Sequence, residues 1–135
     1  MRGVESIENR KVQVGICLLI FLCFLYTGSA YISWFYLLGS LFDSSSADWF
    51  SEGIGYLCQA AGILVFALIA RRAPKLAESS SLMLCVMVAD GLATTCALLF
   101  HTQAGVLGFG LLMNLLHGAI AGIYLSKLAR FIPQQ

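Results

Sequence analysis

LVFALIARRAPKLAESSSLMLCVMV, residues 64–88, is two apolar runs meeting at a basic turn. Arg71, Arg72 and Lys75 crowd around Pro74, and the runs on either side continue well beyond the quoted stretch. A hairpin of soluble helices would show a polar face at helical period. These flanks show none. About 20 apolar residues cross about 30 Å of hydrocarbon, so the turn reads as the link between two membrane helices. Proline, without an N–H, forbids continuation of the helix before it, and Ser79, Ser80 and Ser81 supply the start of the next.

Working outward, the chain holds four such runs, at about 12–42, 52–70, 80–100 and 104–126. The expected fold is all-α, a polytopic membrane protein whose residues 1–135 form a single domain of four transmembrane helices. Composition agrees: 59% of the residues are hydrophobic and 11% charged, with a mean hydropathy of +0.85. A soluble domain carries about 25% charge.

The eight cations are placed on one side by that arrangement. Arg2, Arg10 and Lys11 precede the first run, Arg71, Arg72 and Lys75 join the second to the third, and Lys127 and Arg130 follow the fourth. The other two connections offer Asp43, Asp48 and Glu52 in one and His101 in the other. Lys and Arg beside membrane helices stay cytoplasmic, so both termini are expected there. The expected location is a cell membrane, crossed several times (the cytoplasmic membrane in a bacterium), with the lipid bilayer as first partner. The basic residues form no groove and the aromatics sit in apolar runs, which speaks against nucleic acid as a partner.

The start of the chain has a second reading. Arg10-Lys11, then 12–26, then Gly28-Ser29-Ala30 has the order of a secretory leader. The apolar run does not stop there, since 31–38 follows at once, and retention as the first span is favoured. That run covers about 30 residues, or about 45 Å, so its outer third is expected at the headgroups, with Tyr31, Trp34, Phe35 and Tyr36 as interfacial rings. Gly28-Ser29 is a candidate kink. Residues 43–48 read as a polar external loop, with Ser46 or Asp48 capping the next helix.

Cys17, Cys23, Cys58, Cys85 and Cys96 lie inside spans without a C-x-x-C pair or a metal-spaced histidine. They read as packing thiols, and no metal or cofactor is implied. Catalytic spacing is missing too: no nucleophile–base–acid set and no phosphate-cradling glycine loop occurs, so an enzyme is not expected.

Three polar residues in the last two spans stand out. Asp90 is the only formal charge inside a hydrocarbon-spanning run, where an acid costs about 2.5–3.5 kcal/mol on insertion scales. Asn114 and His117, three apart, share a face of the fourth span. Counted from Thr102, Asp90 is 12 residues back and Asn114 12 forward, so the two share a depth. His117 lies about 4.5 Å nearer the cytoplasm at helical rise. An antiparallel pair can therefore bring Asp90 to Asn114 or His117. Two readings stay open: an interhelical hydrogen bond of about 0.6 kcal/mol, or a site that relays protons or binds a cation. Gly118 and Gly122, four apart on one face, form a helix-packing pair, and Gly53, Gly55, Ala60, Ala61 and Gly62 give the second span a small-residue face. Gln59 is that span's one uncharged polar group.

Four spans with a basic turn after the second resemble the start of one half of a major facilitator superfamily transporter. The family's turn has a pattern like G-x-L-x-D-R-x-G-R, whose places fall here on Ala67, Ile69, Arg71, Arg72, Pro74 and Lys75. Arg72 and Lys75 keep its chemistry; Arg71 replaces the acid and Pro74 the glycine. Residues 118–124, followed by Leu128-Ala129-Arg130-Phe131-Ile132-Pro133, are similar to a glycine-rich fourth or tenth helix running into a cytoplasmic segment. The resemblance implies proton-coupled transport of a small solute, with Asp90, Asn114 and His117 as candidate site residues. It also implies incompleteness, because the family places substrate between two six-helix halves. Expected partners are then further transporter helices, a second copy or another membrane protein. Small multidrug carriers also have four spans, but their essential acid is in the first, which here has none. The competing expectation is a non-transporting accessory, immunity or sensor module that packs Gly118 and Gly122 against partner helices.

Overall fold

The computed structural model describes residues 2–129, with side chains from residue 11 onward. Arg130, Phe131, Ile132 and Pro133, and the side chains of Arg2 and Arg10, lie outside the described residues. Helix α1 runs Arg2–Leu41, α2 Ser44–Asp48, a π-helical stretch Trp49–Gly55, α3 Tyr56–Arg72, α4 Pro74–Ala77, α5 Ser80–Leu99 and α6 Gln103–Ala129. No strand occurs among the described residues. Four segments are long and apolar enough to cross a bilayer: Lys11–Leu41, Ser44–Arg72, Ser80–Leu99 and Gln103–Ala129. The protein is an all-α, multi-pass membrane protein of four spans.

The second span begins earlier than expected. Residues 44–48 form the short helix α2, not a polar loop, and the cap is Asp43 rather than Ser46 or Asp48. The Asp43 carboxylate accepts from the Ser46 backbone N–H at 3.0 Å and from the Ser46 hydroxyl at 2.7 Å, meeting otherwise orphaned donors of a first turn. Helical backbone then continues through the wide π turn, where the Trp49 ring covers Gly53; a Cβ there would come within 2.9 Å of it. The third span starts where the serines indicated: Ser79 caps α5, its hydroxyl accepting from the Leu82 N–H at 3.1 Å. Pro74 opens α4, where its missing N–H costs nothing.

Helix α6 is the centre of the bundle and packs against α3, α5 and α1. With no hydrophobic drive between helices in lipid, association depends on close backbone approach. Glycines supply it. A Cβ on Gly62 of α3 would overlap the Leu115 carbonyl oxygen, and one on Gly118 of α6 would overlap the Gln59 carbonyl oxygen. One turn on, a Cβ at Gly122 would come within 2.6 Å of the Phe66 ring. Gly110 lies under the Trp34 indole, whose N–H donates to the Val106 carbonyl at 2.8 Å. Trp34 is thus part of the core with Leu38, Val106 and Met113, and not an interfacial ring; Tyr36, two residues on, is 73% exposed.

Polarity is inverted relative to a soluble domain. Outward faces carry Phe21, Leu64 and Leu92, while Asp90, Asn114, His117 and Ser51 are buried. Hydrocarbon tolerates the first group and penalises the second, so a bilayer accounts for the arrangement. Among the cysteines only Cys23 is buried; Cys17 and Cys85 face outward, as a small apolar side chain can in lipid.

Candidate intramembrane polar site

Two consecutive spans joined by the short link 100–102 make the site. Their antiparallel pairing brings Asp90 of α5 opposite His117 of α6, with Asp90 Oδ2 3.4 Å from His117 Nε2. Asp90 is fully buried and His117 is 5% exposed. The separation lies at the edge of hydrogen bonding and lacks its alignment. Both Asp90 oxygens, His117 Nε2 and the nearby Thr94 hydroxyl are buried without a hydrogen-bond partner. From α1, the Tyr26 hydroxyl stands near Asp90 and Thr94, and a Cβ on Gly91 would lie 3.4 Å from it.

Asn114 belongs to a different contact. Its amide donates to the Gly110 carbonyl at 2.8 Å, and its side-chain oxygen accepts from Gln59 Nε2 of α3, also at 2.8 Å. The last two spans supply Asp90 and His117 to one pair, while Asn114 turns to the second span. Equal depth placed Asn114 level with Asp90, but depth carries no rotational phase. Gln59 was visible as the lone polar group of its span; its partner was not.

His117 also borders a cavity of about 350 Å³ lined by Tyr31, Tyr56, Gln59, Phe24 and Tyr124 among others. Tyr31 and Tyr56 stack at 6.2 Å between centroids, and Phe24 meets Tyr124 at 5.7 Å. Histidine therefore joins two environments, a cavity between α1, α3 and α6 and a buried carboxylate beyond it. A larger cavity of about 420 Å³, with Glu78 and Lys127 in its lining, touches neither member of the pair.

The remaining named residues lie away from the pair. Arg71 and Arg72 end α3 and Lys75 sits in α4, all exposed at one end of the bundle. Gly118 and Gly122 are covered by Gln59 and Phe66 of the same chain, so neither is free to meet a partner helix. Among the described residues no three His, Cys, Asp or Glu side chains converge as metal ligands do.

The arrangement can hold a proton. With one proton the pair is either carboxylate and imidazolium or carboxylic acid and imidazole, neutral overall in both forms. A second proton makes it cationic, and loss of the first makes it anionic. Comparison with protein-family models, curated proteins and solved structures found no match.

Proposed function

We propose that this membrane protein exchanges a proton at the Asp90–His117 pair while moving a small solute, within an assembly that supplies further helices or a second copy. The carrying observation is a fully buried carboxylate 3.4 Å from a buried histidine, with the acceptors and donor between them unsatisfied. Magnitudes favour this over a structural role. An interhelical polar contact gives about 0.6 kcal/mol, whereas an intramembrane acid costs about 2.5–3.5 kcal/mol. A contact too wide for good hydrogen bonding does not offset that cost. Proton exchange does explain it, since either member can take up or give up a proton across the gap.

Kinship with the major facilitator superfamily is part of the proposal, supported by the order of spans and the glycine-rich fourth span. The proposed placement has the Arg71–Lys75 turn in the cytoplasm of a cell membrane. No enzymatic step is assigned.

The test is proton uptake by the full chain in liposomes containing a pH-sensitive dye. Asp90→Asn and His117→Gln are expected to lower it at least about tenfold, at the scale of removing one proton-transfer group. Asp90→Asn should leave the bundle folded, because a neutral isostere removes the desolvation cost. Proton uptake in Asp90→Asn equal to wild type, with the same pH dependence, would dispose of the site.

A further inference from the structure

We infer that the cavity beside His117 binds a small monovalent organic cation, an alkylammonium, as the solute; the coupling to protons rests on the proposed proton-exchanging pair. Three independent properties of the cavity point to this ligand class.

The first is its lining. Phe24, Tyr31, Tyr56 and Tyr124 surround the space, and aromatic rings attract ammonium groups through their quadrupoles, most strongly away from water. The second is the sign of the nearby charge. Among the described residues no Lys or Arg lines the cavity. Asp90 stands behind His117. The lining therefore offers an anion no fixed cation, while the acid nearest the cavity is Asp90, one side chain beyond His117.

The third is size and polarity. About 350 Å³ lies at the small end of ligand pockets, enough for an ammonium with a few carbons. Polar atoms suited to its hydroxyl or N–H are present. Gln59 uses an N–H on Asn114, which leaves its carbonyl oxygen able to accept; Thr27 donates its hydroxyl proton to Cys23, which leaves lone pairs. Tyr31 of α1 and Tyr56 of α3 stack across the gap between the two helices on this side of the cavity.

The titratable groups lining the cavity are Tyr31 of α1, Tyr56 of α3 and His117 and Tyr124 of α6, with Asp90 beyond His117 and Tyr26 of α1 beside Asp90. Ordinary phenols and thiols stay neutral through acid and neutral pH. Each proton added to the pair makes it more positive and so disfavours a cation in the cavity. By reciprocity the cation disfavours that proton, which is the coupling antiport requires.

The experiment uses the full chain in phospholipid nanodiscs and two probes, choline and its uncharged carbon isostere 3,3-dimethyl-1-butanol. Calorimetry at about pH 7.5 and about pH 5.5 brackets imidazole titration. Choline is expected to bind at least about tenfold more tightly than the alcohol, and Tyr31→Leu and Tyr56→Leu each to weaken it about tenfold. Acidification should weaken choline and leave the alcohol unaffected. Equal affinities for the two probes, or no choline binding to the folded wild type, would overturn the inference. Circular dichroism of each variant separates lost binding from lost fold. Asp90-dependent proton uptake without choline binding removes the ligand assignment and leaves the proton-exchanging pair. Choline binding without such uptake upholds the ligand and removes the pair.

Discussion

A single methyl group decides how α3 and α6 meet. At Gly118 and at Gly62 an added Cβ would run into a carbonyl oxygen of the facing backbone, which cannot move aside as a flexible side chain can. Gly108, on the same helix as Gly118, has nothing within 4 Å of a would-be Cβ. Gly118→Ala should therefore destabilise the bundle by about 1–3 kcal/mol, the range for overpacking, while Gly108→Ala should cost nothing. Unfolding of the detergent-solubilised protein by increasing SDS measures both. Equal stability of the two variants would show that the helices separate without loss. At Gly122 a larger side chain such as leucine would meet Phe66 of its own chain and act on folding before any association.

At the scale of the element, the four spans were legible because lipid imposes one rule on length and composition, and Ser79 announced the third. The second starts earlier than its apolar run suggests. Asp43-Ser44-Ser45-Ser46 has the polarity of a loop, but an aspartate three residues before a free N–H is also a cap, and the cap prevailed. Burial along α1 was not legible either, since an aromatic cluster does not say which ring faces inward; Trp34 does and Tyr36 does not. For the site, residue counting from the 100–102 link gave depth, which suffices to bring Asp90 near His117 but not to tell His117 from Asn114. The Asp43 cap has its own pH signature. Hydrogen bonds from Ser46 hold the Asp43 carboxyl below its ordinary value. Its contribution is thus complete above the unfolded value of about 3.9 and lost as pH falls through the lower folded one. Exchange protection of the Ser46 amide should hold at neutral pH and fall below about pH 4. In Asp43→Ala that protection should be weak at every pH. A Ser46 amide equally protected in both proteins would remove the cap.

For the whole molecule, the fold leaves one question of direction, and charge supplies the argument. Arg71, Arg72, Lys75 and Lys127 gather at one end of the bundle, while Asp43, Asp48 and Glu52 mark the other. Because each Lys or Arg near a span resists translocation, that basic end is expected in the cytoplasm. Both cavities and the Asp90–His117 pair would then have a defined orientation with respect to the membrane potential. A cysteine-free version of the chain with one new thiol tests this in intact cells. Ser45→Cys should react with a membrane-impermeant maleimide at once, and Ala73→Cys only after permeabilisation. The reverse pattern would invert the molecule. Replacing Arg71, Arg72 and Lys75 together by Ser should then let both thiols react in a fraction of the molecules, because the strongest cluster of retained charge is gone. A triple variant that keeps a single orientation would show that the remaining cations suffice to set it.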